Sequence, residues 1–407
     1  MISHKMYSVN MTKKALIIGG GIAGPVTAMA LQKAGLEPVV YEAYARGADG
    51  VGAFLTLAPN GIEALSLLGL DRLVAGLGMD TRRMRMISGS GKVLADFSNG
   101  GETSFGMPSQ TLKRADLYGA LRDEALRRGI RIEYGKRLAD AGMDRGGVRA
   151  VFSDGSTATG DLLIGADGLH SRTRKIIDPD APKARYVGLL NTGGFAKGLS
   201  IADEPGTFYM IFGRRCFFGY QVRPNGEVWW FANPGRKVDP TPEQLAAITP
   251  QQWRAELNDL FKDDAGPILP IIAATGDIIA GWSTYDFPTV PKWRNERMVI
   301  IGDAAHATSP SSGQGASMAA EDAVVLAKCL RDIPDPAKAF QAYEGLRRKR
   351  VEKIVAAGKR NGSGKAPGLV GRVVRDLMLP PVMRRLAKSD ALRKMYEYPI
   401  DWESTVA

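Results

Sequence analysis

"KKALIIGGGIAGPVTAMALQKAGLEPVVYE", Lys13 to Glu42, decides how the rest of the chain is read. Ala15 to Ile18 is a short apolar run suited to a buried strand. Ile22 to Ala34 reads as a helix closed by Gly35, and Glu37 to Glu42 as a second strand. Strand, helix and strand in that order open a doubly wound parallel sheet. Gly19, Gly21 and Gly24 place G-x-G-x-x-G at the first strand-to-helix junction. The first lets the chain turn sharply, the second lets backbone approach a pyrophosphate, and the third lets helix and strand pack closely. The helix start, with Ile22 and Ala23, offers free N–H groups and a partial positive charge to phosphates. Glu42 stands eighteen residues after Gly24, where a carboxylate accepts ribose hydroxyls and disfavours a 2′-phosphate. Ala43 follows it. Arg46 either reaches phosphate or ribose or is a solvated loop residue. The pattern predicts dinucleotide binding and does not separate FAD from NAD.

The chain has 407 residues, more than one hydrophobic core usually supports, so two domains are expected. Its 48 glycines are clustered rather than periodic, which fits close backbone approaches to a ligand. The formal net charge is +11, and residues 341–407 hold 15 Lys/Arg against 7 Asp/Glu. The run "RRKR", Arg347 to Arg350, reads as the solvated face of a helix. No aromatic interleaving or reading motif accompanies it, so no nucleic-acid partner is expected. Two cysteines, Cys216 and Cys329, fit a reducing compartment, and a cytoplasmic location is expected. Three scattered histidines predict no metal site. The apolar run after Lys13 is too short and glycine-rich for a leader, and no stretch is long enough to span a membrane. Met1 to Asn10 reads as a loose terminal extension.

Further along, "RADLYGALRDEALRRG" is an amphipathic helix stopped by Gly129. From Tyr186 to Trp282 the texture changes. "FYMIFGRRCFFGYQV" and "EVWWFA" read as antiparallel strands joined through "RPNG", with dense aromatics. Met210, Phe212 and Tyr220 share one parity there and are candidate pocket residues, although such a stripe is more often core. "RMVIIGD" returns to a buried parallel strand, and the remainder is helical, broken by "NGSGKAPG" and "LPP". "SGSGKV" and "NGSGKA" lack the residues of a phosphate loop and read as turns.

The glycine fingerprint, "DLLIGADGLHSRTR" (Asp161 to Arg174) and "RMVIIGDAAHATSPSSGQGAS" (Arg297 to Ser317) together resemble the three signatures of single-component (class A) flavin monooxygenases, the para-hydroxybenzoate hydroxylase-like family. "GAFLTLAPNGIEALSLLGL" (Gly52 to Leu70, with Ala53) and Arg114 in "LKRADLYGAL" match further family positions. The resemblance implies an α/β fold: a Rossmann-type FAD-binding domain with a parallel sheet, an antiparallel β-sheet substrate domain, and C-terminal helices. The expected division is 11–80, 109–185 and 286–345 for FAD, 81–108 and 186–285 for substrate, and 346–407 as a helical region.

By the same resemblance, Asp303 after Gly302 holds the ribityl or pyrophosphate part, and Arg114 binds nearby. Gly313, Gly315, Ala316 and Ser317 offer backbone N–H groups to the ring, and Pro310 lies beside it. A reduced isoalloxazine carries negative charge that a helix start without bulky side chains can stabilise. Ser317 stands where the family commonly has Asn. Asp167 is linked to FAD and pyridine-nucleotide binding, against a plain Asp-Gly turn, and Arg174 closes that motif. Asp303, His306 and the serines around them do not make a hydrolase triad, because the chain has no G-x-S-x-G elbow; His306 reads as a packing residue. The implied activity is hydroxylation or epoxidation of a small aromatic or polycyclic molecule through a flavin C4a-hydroperoxide, using O2 and NADPH or NADH as transient donor. The catalytic residues stay unassigned, and the protein is expected as a monomer or homodimer. A halogenase, oxidase or reductase on the same fold is the alternative; "GWSTYDFP" only begins like the halogenase signature.

Overall fold

The structure, a computed structural model, describes residues 12–45, 53–100, 105–363, 365, 369–387 and 390–406. Met1 to Asn10, Arg46 and Gly52 lie outside the described residues.

Five parallel strands form the first sheet, in the order Met298–Ile300, Leu162–Gly165, Lys14–Ile18, Glu37–Tyr41 and Arg131–Glu133. The inner strands are almost wholly buried, which is why they read as unbroken apolar runs rather than alternating ones. Helices Ala23–Lys33, Arg114–Arg127 and Gly315–Asp332 pack against one another and this sheet in one core. Gly19, Glu42, Asp167 and Asp303 each follow the carboxyl end of a strand, the edge where doubly wound sheets bind ligands.

Seven strands form the second sheet: Ile279–Asp286, Arg185–Ala196, Val228–Asn233, Phe217–Val222, Thr207–Phe212, Arg83–Ser88 and Val93–Ser98. All neighbours are antiparallel except Thr207–Phe212 beside Arg83–Ser88, a parallel pair that local pattern cannot reveal. The aromatic run from Phe208 to Val222 is a hairpin, not one strand. It turns at Gly213, where a Cβ would come within 2.4 Å of both the Cys216 carbonyl and an Asp264 oxygen. Side-chain parity resets across that turn. Tyr220 therefore pairs with Tyr209 and, with Ile211, Phe218 and Trp230, faces a core built on Trp253, Leu257 and Phe261. Met210 and Phe212 point to the opposite face. The expectation that Tyr220 shares a pocket with them is corrected.

The C-terminal helices connect both sheets. Helix Pro336–Ser363 lies over the 308–312 loop, where a Cβ on Gly358 would meet Thr308 Oγ1 at 2.9 Å and Ser312 Cβ at 3.1 Å. Helix Leu369–Ala387 packs on strand Val93–Ser98, and Arg375 donates to the Phe212 carbonyl. Pro380 and Pro381 lie within that helix, so the expected break at "LPP" does not occur. Nor is "RRKR" a solvated face. Arg347 is fully buried, Arg348 and Arg350 are partly buried, and only Lys349 is exposed.

Candidate functional site

The three fingerprint glycines are required for different reasons, and the geometry separates them. A Cβ on Gly19, whose φ is +104°, would lie 2.4 Å from the Ala166 carbonyl oxygen. One on Gly24 would lie 2.0 Å from the Gly19 carbonyl. Those two permit strand, turn and helix to close on each other. Around Gly21 nothing lies within 4 Å. Its backbone faces open space beside the amino end of helix Ala23–Lys33, whose first turn carries no acidic residue. An open glycine turn at a helix start is a cradle: it leaves room for a phosphate group that a side chain would block.

Glu42 closes one side. It is buried; Oε2 accepts from the Gly20 N–H at 2.6 Å and Oε1 from the Tyr44 N–H at 2.8 Å, which fixes the carboxylate beside the cradle. Ala43 is half-buried next to it. On the other side the Arg114 N–H donates to the Ala53 carbonyl, at 3.2 Å, setting Arg114 at the start of its helix.

Gly302, at φ +57°, turns the last parallel strand into the short helix Asp303–His306. A Cβ there would lie 3.6 Å from Ala23 Cβ and 3.4 Å from Ala319 Cβ, so this turn sits between the fingerprint helix and helix Gly315–Asp332. The Asp303 side chain is exposed; partial loss of water around its carboxyl raises its pKa, with His306 and Arg114 opposing. Its Oδ1 lies 3.9 Å from where a Gly315 Cβ would be, which brings the acid to the next helix start. Pro310 opens a short 3-10 turn that ends at Gly313, φ +63°. Gly315, Ala316 and Ser317 then begin a helix of 18 residues with no acid in its first turn. Ser317 turns its hydroxyl away, accepting from the Ala58 N–H at 3.1 Å. Its side chain is therefore committed to the Ala58 backbone.

Beneath this floor lies a buried ionic cluster that the sequence reading missed. Asp322 Oδ2 accepts from the Gly302 N–H at 2.9 Å and meets His306 Nε2 at 2.5 Å, while Oδ1 meets Arg347 Nε at 2.7 Å. Arg347 Nη2 also pairs with Glu321 at 2.6 Å, and Arg350 and Asn60 bind the same carboxylate. Burial pushes the Asp322 carboxyl up, but attraction to His306 and Arg347, with the His306 and Gly302 hydrogen bonds, holds it well below the carboxylate range. Glu321 is lowered likewise against its burial, through Arg347 and Arg350. Burial alone would lower the Arg347 pKa, yet its two acids raise it. The cluster clamps the turn that presents Asp303. The one sequence trace of it is the pair of adjacent acids in the otherwise apolar "MAAEDAVVLA". His306 is thus a structural partner of Asp322. Among the described residues no serine hydroxyl bonds to it.

Asp167 is spent locally. Its carboxylate accepts from the Ser171 hydroxyl at 2.6 Å and from the Thr173 N–H and hydroxyl, each at 2.9 Å, tying the strand end to helix Arg172–Ile177. Arg174 donates to the Ala304 and Leu169 carbonyls and stacks over Phe287, 4.3 Å from its centroid. Arg174 thus supports the Asp303 loop from behind.

The second sheet supplies an aromatic wall. Phe208, Met210 and Phe212 share a face with Phe217, Gly219, Trp229 and Phe231. The Phe54 ring, next to Ala53, lies within 6.5 Å of those of Phe208, Trp229 and Phe231, tilted or edge-on to each. Gly219 is required there, since its Cβ would strike the Phe231 ring at 2.7 Å. Phe54, Met210 and Phe231 are half-buried and mark the open part of the wall. Trp229, Phe231 and Lys365 were not foreseen, because their placement depends on hairpin register and on a returning C-terminal segment.

A glycine-lined phosphate cradle, an acid at a strand end, a side-chain-poor helix start and an aromatic sheet facing them define an FAD-dependent flavoprotein monooxygenase. The chain belongs to the FAD binding domain family, whose model matches residues 12–357. It is 33% identical over 349 residues to the FAD-dependent urate hydroxylase of Klebsiella pneumoniae subsp. pneumoniae, covering 84% of this chain and 88% of the relative. It is 31% identical over 348 residues to 3-amino-4-hydroxybenzoate 2-monooxygenase of Streptomyces cremeus, covering 83% and 84%. The crystal structure of Klebsiella pneumoniae HpxO complexed with FAD and uric acid superposes with a TM-score of 0.79 at 28% identity, covering 94% of this chain and 95% of the other.

Proposed function

We propose that this protein hydroxylates a small, electron-rich aromatic ring held against the Phe54, Met210 and Phe231 wall, with FAD bound in the Gly21 cradle. The carrying observation is that Phe54 of this wall adjoins Ala53, whose carbonyl accepts from the N–H of Arg114, the residue whose charge acts on the Asp303 carboxyl. Bound FAD supplies hydride acceptance and activation of O2. Gly19, Gly21, Ile22, Ala23 and Gly24 surround the pyrophosphate, and Glu42 and Ala43 lie at the ribose. Asp303 takes the ribityl hydroxyls with Arg114 beside it, and the N–H groups of Gly315 to Ser317 hold negative charge developing on the ring. Pro310 and Gly313 shape the ring's edge. Residues 11–80, 109–185 and 286–345 do this work; 81–108 and 186–285 position substrate and exclude water.

NADPH or NADH acts as a transient donor, since the chain has a single glycine fingerprint. The relatives that act on urate and on an aminohydroxybenzoate support a compact heteroaromatic or phenolic substrate. Among the described residues no helix is long and apolar enough to cross a membrane. The two cysteines are free and buried, which supports a reducing, cytoplasmic setting and a monomer or homodimer without disulfides.

The deciding experiment is anaerobic reduction of the FAD-loaded protein by NADPH and NADH across a panel of phenols, hydroxybenzoates and purines, followed by product analysis in air. Acceleration by one class, with one oxygen atom from O2 in the product, is the expected result. Rapid reduction without oxygenated product by any compound would mean a reductase or oxidase.

A further inference from the structure

Lys365 comes from "NGSGKAPG", a stretch that reads as a plain turn. In the fold it is 4% exposed. Its Nζ donates to Asn233 Oδ1 at 2.6 Å and lies 4.2 Å from the Phe217 ring centroid and 5.5 Å from that of Phe231. Among the described residues no carboxylate pairs with it. Asn233 is itself buried and oriented, because its Nδ2 donates to Asn191 Oδ1 at 2.7 Å and to the Leu190 carbonyl. That fixes its amide oxygen toward the ammonium. Two more cations border the same wall: Lys113 lies 5.1 Å from the Phe195 ring, and Arg223 lies 4.2 Å from that of Trp229.

An ammonium taken out of water without a counter-ion is strongly disfavoured; one amide oxygen and two aromatic faces replace only part of its hydration. Burial lowers the Lys365 pKa to about 7, with Cys216 opposing. An apolar side chain of the same length would fill this place at less cost. A cation held there is explained by an anion that arrives with the ligand.

Resting on the hydroxylase reading above, we propose that Lys365 is the substrate-recognition residue of the aromatic wall. Its ammonium closes one end of the pocket and pairs with a negatively charged group on the ring. The substrate class is therefore an anionic aromatic, with the charged substituent directed at Lys365 and Asn233 and the ring laid along Phe231.

The test uses the FAD-loaded enzyme and acid/amide pairs: salicylate, 3-hydroxybenzoate and 4-hydroxybenzoate, each against its carboxamide. Binding is read from the perturbation of the oxidised flavin's visible spectrum, without turnover. Wild type is expected to bind at least one acid ten-fold or more tightly than its amide. Lys365→Met should erase that preference, and Lys365→Arg should keep most of it. Equal binding of acid and amide by wild type overturns the inference, whether or not either variant folds. So does a preference that survives in Lys365→Met, or binding of none of the acids. The hydroxylase reading stands or falls separately, on oxygenated product from the wider panel.

Discussion

Gly21 and Gly24 are three residues apart and identical in composition, yet they fail differently when a methyl is added. Gly24→Ala drives its Cβ against the Gly19 carbonyl, so the fold should lose about 1–3 kcal/mol, read as a lowered unfolding midpoint in denaturant. Gly21→Ala adds a group to open space, so the unloaded protein should stay within about 0.5 kcal/mol of wild type. Its FAD affinity should nonetheless fall ten-fold or more, measured by flavin fluorescence titration. Equal loss of FAD and of fold in both variants would contradict the cradle. A similar contrast separates the two sides of the second sheet. Tyr220 donates to Asp203 at 2.6 Å behind the wall, so Tyr220→Phe should cost about 1 kcal/mol of stability and leave the substrate KM unchanged. Phe231→Ala, on the open side, should raise KM at least ten-fold with FAD content retained.

The helix Gly315–Asp332 has two jobs that meet in one element: its start faces the cleft, and one turn later Glu321 and Asp322 bind Arg347 from helix Pro336–Ser363. Removing one member of a buried ion pair leaves an uncompensated charge. Arg347→Met should therefore cost about 3–5 kcal/mol at neutral pH. Asp322 and Glu321 both have carboxyls lowered by folding. Their contribution is complete above the unfolded carboxyl values, about pH 4, and is lost as pH falls through the lower folded values. Wild-type stability should thus fall steeply below about pH 4, and Arg347→Met should show a shallower acid limb. Thermal unfolding followed from pH 7 downward tests this; parallel curves for the two proteins would show that the cluster does not carry the acid sensitivity. None of it could be read from "RRKR" alone, because a run of four cations looks the same whether it meets water or two acids on a neighbouring helix.

Across the whole molecule the C-terminal helices link the 308–312 loop to the aromatic wall. Gly358 lies on Thr308 and Ser312, and Lys365 follows seven residues later on Phe217 and Phe231. Gly358→Leu should displace the 308–312 loop that carries Pro310 while leaving the Gly21 cradle intact. The expected outcome is full FAD content with a lower ratio of hydroxylated product to NAD(P)H consumed, measured by product assay against oxygen uptake. An unchanged ratio would mean that the loop tolerates the displacement.

Local sequence determined the parallel strand–helix–strand unit, the fingerprint and the acid at Glu42, because each depends on residues within about one turn or one strand of its neighbours. The turn into helix Gly315–Asp332 was likewise readable, since a helix start built of small residues needs no distant partner. What only the tertiary structure decided was partnership across long separations. Which face Tyr220 takes depends on where a hairpin turns; whether Arg347 is solvated depends on Glu321 and Asp322; whether Lys365 is solvated or set against Asn233 and Phe217 depends on where a C-terminal segment returns. A side chain's chemistry is local, but the free energy of its charge or ring is set by what surrounds it, and that is a property of packing.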